Sequence, residues 1–326
     1  MTSMNINHVN TMAQLLSNDG TLRAKDKAGS LKNIFEFIVN FISFGSVQNK
    51  RARQYEAFVE NMAAELFKSE PSDKFSRIPE RLNFNYSGYD IVFTLPGENA
   101  DKADFVSLCV SKNGEKIEST VDKKTFCRIC TAMLICKMCD VPLTPVLLTD
   151  KGCINLAGAN LPNADLRGMN LGDADFGGAN LTGANLEDAN LEGANLKGAN
   201  LEKATLMRAI LKHADASEAN LRGAHLKETN LKNANFEQAV LIRAHLESAD
   251  ASEAKFMKAD LSFAYLEKAR FDKSDLRDAS LKCVNMCEGR FDMARLGNAD
   301  MSGAVAMKTH LERADMRGGL YSSMPR

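Results

Sequence analysis

The sequence predicts an α+β domain in its N-terminal part, followed by a long solenoid of stacked coils. The first observation behind this prediction is a five-residue period: between residues 156 and 316, every residue whose number ends in 1 or 6 is Leu, Phe, Met or Ala. These positions define 33 consecutive units without an insertion. The second observation is that residues 31–140 carry helical and strand-like patterns instead. A chain of 326 residues is long enough for both parts.

The five-residue period fits neither an α-helix nor a flat strand. Five residues advance about 500° around a helix, so the large apolar side chains would spiral over every face. In a strand, an odd period places successive members on opposite faces. A chain that bends once per unit can instead point each large residue at a common axis. Stacked coils then satisfy each other's backbone groups across a spacing of about 4.8 Å.

Most units read Ala, then Asn or Asp, then the large apolar residue, as in "LEGANLKGANLEKAT" at 191–205. This pattern resembles the pentapeptide-repeat family, which implies a right-handed quadrilateral β-helix with four units in each coil. The rod would then have about eight coils and a length of about 40 Å. Phe236 follows Ala216, and Phe271 follows Ala251, after four units. A large ring beside a small residue would fill a void, which supports that period.

Four regions follow from these patterns. Residues 1–30 are polar and without periodicity, which predicts a disordered secretion signal. Residues 31–150 form the α+β domain, which we expect to cap the first coil because no Gly/Ser linker separates it from the repeats. The repeats occupy residues 151–318, and residues 319–326 form a C-terminal tail.

The elements of the capping domain follow from periodicity and turn residues. Alternating apolar residues predict a strand pair that turns at Ser87-Gly88 and a hairpin that turns at Asn113-Gly114. Helical spacing predicts helices at 31–44, 52–68 and 122–140.

The first predicted helix raises the question of membrane contact. Residues 31–44 are apolar except for one narrow polar stripe, and the basic residues Lys50, Arg51 and Arg53 follow. Fourteen residues are too few to span a bilayer. The pattern is typical of a core helix with a solvated basic end or of a helix at a membrane surface. The three basic residues are therefore candidate membrane contacts.

The last predicted helix carries four cysteines with C-x2-C-x5-C-x2-C spacing. A zinc site needs four converging thiolates, and structural zinc pairs normally have a longer loop between them. Buried cysteines on one helical face are the favoured interpretation. His8 is the single His before the repeats, so the sequence predicts no catalytic residue, no metal and no cofactor there. The four cysteines are Cys127, Cys130, Cys136 and Cys139.

The outer surface of the rod would carry specificity. Every twentieth residue should stack in a column, and Arg270 above Arg290 suggests an acidic partner or phosphate. A solvated face with Asp and Glu alongside is the alternative. A formal net charge of −1 argues against nucleic-acid binding. Two columns stand out: Asp250, Arg270, Arg290 and His310; and Thr205, His225, His245 and Tyr265.

The C-terminal end is the predicted partner site. The last coil would be left partly open, which favours a partner strand or self-association. Leu320 and Tyr321 are the expected anchors, with Arg270, Arg290 and His310 supplying charge.

Further segments resemble the PipB family of type III secreted effectors. The resemblance implies delivery into a host cell, association with vacuolar and endolysosomal membranes, and a role in positioning those compartments. In one branch of the family that role involves kinesin and a Phe-containing C-terminal segment. This sequence ends "MRGGLYSSMPR", so kinesin as a partner stays open. The matching segments are "LKNIFEFIVNFISFGSV" at 31–47, "LPGEN" at 95–99, "VSKNGE" at 110–115 and "LLTDKGCINLAGANL" at 147–161.

The function predicted from the sequence is a non-enzymatic scaffold that recruits host proteins at host membranes. An enzyme is less favoured, because Cys283 and Cys287 lie in the rod with no His in their columns. The other alternative is a DNA mimic or another protein-binding repeat protein of the bacterial cytosol. Mimicry needs a strongly acidic rod, whereas residues 155–316 contain 20 Lys and Arg against 24 Asp and Glu, a net of −4.

Overall fold

The structure is a computed structural model that describes residues 58, 61–62, 64–66, 81–86, 88–96, 105–138 and 153–321. Several sequence predictions lie outside these residues. They are the secretion signal at 1–30, the helix at 31–44, the basic residues Lys50, Arg51 and Arg53, and Cys139.

A four-stranded antiparallel sheet forms the centre of the N-terminal domain, with strand order β1-β2-β3-β4. The side chains of Leu82, Phe84 and Tyr86 in β1 are buried, while their neighbours in the strand are exposed, so one face of the sheet packs inward. Asn113 (φ 53°) and Gly114 (φ 85°) turn the second hairpin as predicted. The strands are β1 (Arg81–Tyr86), β2 (Tyr89–Thr94), β3 (Phe105–Lys112) and β4 (Glu115–Asp122).

One helix, α1 (Lys123–Met138), follows β4 directly and covers the inner face of the sheet. Asp122 caps it, because its Oδ2 accepts a hydrogen bond from the Thr125 backbone N–H at 2.7 Å. The Phe126 ring lies 4.7 Å from the Phe93 ring, centroid to centroid. Residues 58, 61–62 and 64–66 are also helical and add apolar side chains to the same core.

The repeats form a four-sided β-helix with a coil of 20 residues. Parallel bridges join each bridge residue to the one 20 positions later, from Asn155↔Asp175 to Asp300↔Leu320. In a typical pair of coils, the Leu161 N–H donates to the Asn180 carbonyl at 2.7 Å, and the Asn180 N–H donates to the Ala159 carbonyl at 2.9 Å. The predicted architecture and coil period are confirmed.

The interior of the rod is filled with packed side chains. Its large apolar residues and the paired alanines are almost all fully buried. Phe236 stacks on Phe256 with ring centroids 5.0 Å apart, and Phe271 stacks on Phe291 at the same distance. Where a hydroxyl replaces the small alanine, as at Ser274, it donates to a backbone carbonyl and stays satisfied.

The corners are tight turns in which the second residue has a positive φ. Glycine fits that conformation, yet many corners carry another residue. The bridge Asn or Asp stabilises the turn, since its Oδ1 accepts from the N–H two residues later, as between Asn195 and Lys197 at 3.1 Å. Its amide also reaches the coil below, as from Asn180 Nδ2 to Asn160 Oδ1 at 2.7 Å. These residues are therefore structural.

Candidate interaction surfaces

Four bridge residues, Asp250, Arg270, Arg290 and His310, lie on the side of the rod that we name the Arg face. Arg270 contacts Asp250 at 3.5 Å and Asp272 at 3.3 Å. Arg290 contacts Asp272 at 3.6 Å and Asp292 at 3.2 Å. The stacked guanidinium groups therefore alternate with carboxylates. An acidic partner at Arg270 and Arg290 would have to displace these ion pairs, and binding there stays a prediction.

The adjacent side, named the His–Tyr face, carries a column of stacked rings. The centroids of His225 and His245 are 4.8 Å apart, and those of His245 and Tyr265 are 4.6 Å apart. His245 Nδ1 lies 3.1 Å from Glu247 Oε1. Among the described residues, no group of three or more His, Cys, Asp or Glu side chains is placed to hold a metal ion. The bridge residues of this face from Thr205 onward are Thr205, His225, His245, Tyr265, Asn285 and Val305.

The same face exposes large apolar side chains that sequence analysis missed. We name Phe263, Tyr265, Val305 and Met307 the apolar strip. Their side chains are 50%, 41%, 48% and 60% exposed. The sequence could have predicted their exposure, because the five-residue register places these four apolar residues at corner or outward positions.

The predicted anchors at the C-terminal end differ in their environments. Leu320 continues the β-helix: its N–H donates to the Ala299 carbonyl at 3.0 Å, and its side chain is 61% exposed. Tyr321 folds back, is half-buried, and donates its hydroxyl to the Met316 carbonyl. The regular bridges thus extend two residues beyond the predicted boundary at 318.

The last coil presents unused backbone donors. Elsewhere in the rod, the N–H groups of the large inward residue and of the second corner residue of each unit donate to the next coil, as at Leu161. Among the residues that the structure describes, six such groups have no acceptor, and an edge of this kind can accept a strand. They belong to Ala306, Lys308, Leu311, Arg313, Met316 and Gly318.

The helix α1 is joined to the first coil of the rod. Arg128 Nη2 lies 2.9 Å from Asp173 Oδ2 and 3.4 Å from the Gly172 carbonyl. The Arg128 side chain is only 15% exposed. A cleft of about 990 Å³ opens beside this contact, lined by Phe105, Lys124 and His213 among others. The contact supports the capping role expected for the domain.

The cysteines of α1 lie partly within the core. Cys130 is fully buried, and burial raises the pKa of its thiol and of the Cys127 thiol. Cys136 belongs to α1, but its side chain is outside the description, as is Cys139. The prediction that these four thiols do not form a zinc site therefore lies partly outside the described residues. In the rod, Cys283 is exposed and Cys287 is half-buried. Within the described residues, no helix has the length and apolar character to cross a bilayer.

Two family profiles match separate parts of the chain. The profile "Secreted effector protein PipB2, N-terminal domain" matches residues 28–136. The pentapeptide-repeat profile matches the rod in four overlapping segments, 153–188, 184–223, 219–256 and 254–292.

Full-length relatives match over part of their sequence. The chain is 34% identical over 151 residues to Secreted effector protein PipB2 of Salmonella typhimurium strain LT2, covering 46% of this chain and 43% of the relative. Secreted effector protein PipB of the same strain is 27% identical over 142 residues, covering 44% of this chain and 48% of the relative. The matches thus span less than half the length of these relatives.

Solved structures match each part of the chain. HetL, a pentapeptide-repeat protein involved in heterocyst differentiation regulation in the cyanobacterium Nostoc sp. strain PCC 7120, is 30% identical with a TM-score of 0.50. That match covers 51% of this chain and 75% of HetL. The solution structure of the PipB2 N-terminal domain of Salmonella is 33% identical with a TM-score of 0.30, covering 33% of this chain and 88% of that domain. The HetL match agrees with the observed β-helix.

Proposed function

Because the chain belongs to the PipB family of pentapeptide-repeat secreted effectors, we propose that it is delivered by a type III secretion system into a host cell and acts there as a non-enzymatic scaffold. The observation that carries the proposal is the joining of a PipB2-type N-terminal domain to an unbroken rod. Such a rod has a single continuous core and binds partners through its outer surface and ends.

The scaffold is proposed to associate with host vacuolar and endolysosomal membranes and to recruit host proteins that position those compartments. Membrane contact through Lys50, Arg51 and Arg53 is part of this proposal. Leu320 is the proposed anchor for a host protein, because its side chain is exposed beside the six free N–H groups of the last coil. Whether a motor such as kinesin is recruited depends on that end of the rod.

Delivery can be tested with an enzymatic translocation reporter fused to the C-terminus of the full chain. We expect reporter activity in host cells infected by bacteria with a working type III apparatus, and none with an isogenic strain that lacks it. Removing residues 2–25 should abolish the signal while thermal unfolding stays unchanged. Equal delivery without the apparatus would rule out the proposed route.

Partner recruitment can be tested by substituting the two predicted anchors, Leu320 and Tyr321, one at a time. Leu320→Ala should reduce capture of host proteins, measured by proximity labelling in host cells, without lowering the melting temperature. Tyr321→Ala removes a side chain that packs on the last coil and should lower stability instead. Arg313→Ala, an exposed substitution on the same coil, serves as the control. An unchanged labelling profile for Leu320→Ala would place the binding surface on the sides of the rod.

A further inference from the structure

The apolar strip lies across three successive coils of the His–Tyr face. Phe263 and Tyr265 belong to the first of these coils, Cys283 lies on the second, and Val305 and Met307 lie on the third. At the β-helix spacing, the strip extends about 10 Å along the rod. Cys283 is itself exposed, so an accessible thiol lies on the middle one of these coils, at the same corner as Phe263.

Phe263 is an exposed aromatic residue at a corner position where most units carry a polar residue or glycine. It is a corner residue with a φ of 61°, in the left-handed region that bulky side chains rarely adopt. The corresponding corners of neighbouring coils carry Arg243, Cys283 and Gly303. Half of the Phe263 side chain remains in solvent. Because the same positive φ occurs at other described corners that carry polar residues or glycine, the turn does not require a phenylalanine, and the half-exposed ring is available for a contact outside the fold.

The unpaired charges around the strip are positive. The Arg243 guanidinium lies 6.0 Å from the Phe263 ring centroid, and Lys308 follows Met307. Among the described residues, neither cation has a carboxylate within ion-pair distance. The cations Lys268 and Lys282, by contrast, pair with Glu288 and Asp300.

Three carboxylates lie along the corner that carries Lys308, and each contacts a neighbouring side chain through one oxygen; Glu288, which pairs with Lys268, is 50% exposed. Glu247 contacts His245, and Glu267 accepts a hydrogen bond from Asn285. The second oxygen of these last two carboxylates is buried. The charges next to the strip that have no ion-pair partner among the described residues are therefore cationic, which complements an anionic surface.

The shape of the strip favours a bilayer over a folded protein. Its side chains project from a flat side of the rod and from the corners on either edge of that side, and neither the cleft beside Arg128 nor the one beside Asn61 lies on this face. Anchors in protein interfaces usually fill pockets. Four half-exposed side chains offer roughly 400 Å², about half of the 800 Å² per partner that a stable interface buries. A second copy of the chain is therefore a poor fit.

We propose that the apolar strip is a membrane-contact surface. Phe263, Tyr265 and Met307 enter the headgroup level of an anionic bilayer, and Arg243 and Lys308 lie against its phosphates. The amphipathic Tyr265 ring suits that depth. The rod then lies with its axis along the membrane. This inference rests on the proposed action at host membranes and adds a contact separate from Lys50, Arg51 and Arg53.

Vesicle binding by the purified full chain tests the proposal. With vesicles of phosphatidylcholine and phosphatidylserine, the double variant Phe263→Ser/Met307→Ser should bind at least about tenfold more weakly, because apolar area is lost from the contact. The matched control is Ile210→Ser/Met293→Ser, which replaces residues of similar exposure on other sides of the rod. The control should change binding by less than about twofold. Equal losses in the two variants would overturn the proposal.

Thiol protection locates the contact without any substitution. Vesicles should slow the alkylation of Cys283 by a water-soluble maleimide, measured by peptide mass spectrometry. The rate at Cys109, on the outer face of the N-terminal sheet, should stay the same. Vesicle binding with Cys283 unprotected would sink the proposal and move the contact to another surface, leaving the proposed function intact. Failure to bind vesicles at all would also sink it. Absence from host membranes in infected cells would count against the proposed function itself.

Discussion

At the scale of single residues, the bridge Asn links two coils and one turn with one side chain. Asn200 Oδ1 accepts from the Glu202 N–H at 3.2 Å and from Asn220 Nδ2 at 3.0 Å. Its Nδ2 donates to Thr182 Oγ1 at 2.9 Å. Since one amide satisfies three groups, these residues contribute to stability through hydrogen bonds and not through burial.

Substitution of that amide should therefore be costly. Asn200→Ala is expected to lower the free energy of unfolding by about 1–3 kcal/mol, because it leaves partly buried donors and acceptors unpaired. Lys255→Ala is the matched control: Lys255 occupies a bridge position, and its side chain makes no hydrogen bond to any other described residue. The control should stay within about 0.5 kcal/mol. Denaturant unfolding followed by circular dichroism measures both, and equal effects would contradict the structural role of the amide.

A charged pair on the last coil predicts a pH dependence. Hydrogen bonds from Arg317 lower the pKa of the Asp315 carboxyl from its ordinary 3.8 to about 2. A lowered pKa in the folded state means that the pair adds stability above pH 4 and loses it as the pH falls toward 2. The melting temperature of Arg317→Ala should therefore lie slightly below that of the wild type at neutral pH. The two should converge near pH 2, and a difference that persists there would contradict this assignment.

At the scale of structural elements, the contacting phenylalanine rings in the core of the rod predict where the rod is most sensitive to substitution. Phe256 lies between Phe236, at 5.0 Å, and Phe271, at 5.2 Å between ring centroids. Phe256→Ala should cost about 3–5 kcal/mol, because the rigid neighbours cannot collapse into the cavity. Phe263→Ala, on the next unit but exposed, should cost far less. Hydrogen exchange should show lost protection concentrated in the coils around residue 256, since each coil contacts mainly its neighbours.

The sequence predicted the elements better than it predicted their contacts. The five-residue register and the Asn113-Gly114 turn are backbone properties that residue types alone indicate. The ion pairs of Arg270 and Arg290 depend on side-chain conformations between coils, which the register does not specify. The inward fold of Tyr321 likewise depends on space at the open end. The apolar strip occupies outward positions that the five-residue register itself identifies.

At the scale of the whole molecule, the two ends of the rod are unequal. The first coil is held by α1 through Arg128, while the last coil keeps six free N–H groups among the described residues. An uncovered end of a β-helix exposes apolar residues and a row of donors that favour association between chains. The N-terminal domain is therefore expected to keep the rod soluble.

Removal of the domain tests that role directly. The rod without residues 1–150 should aggregate at concentrations where the full chain stays monomeric, as measured by light scattering and sedimentation. Arg128→Ala removes one mostly buried charge and leaves Asp173 without its partner, so it should lower the melting temperature while the protein remains soluble. Lys116→Ala, which removes an exposed ion pair with Glu118, is the matched control and should change little. A truncated rod that stays monomeric and unfolds at the temperature of the full chain would show that the repeats terminate themselves, and the capping role of the domain would be wrong.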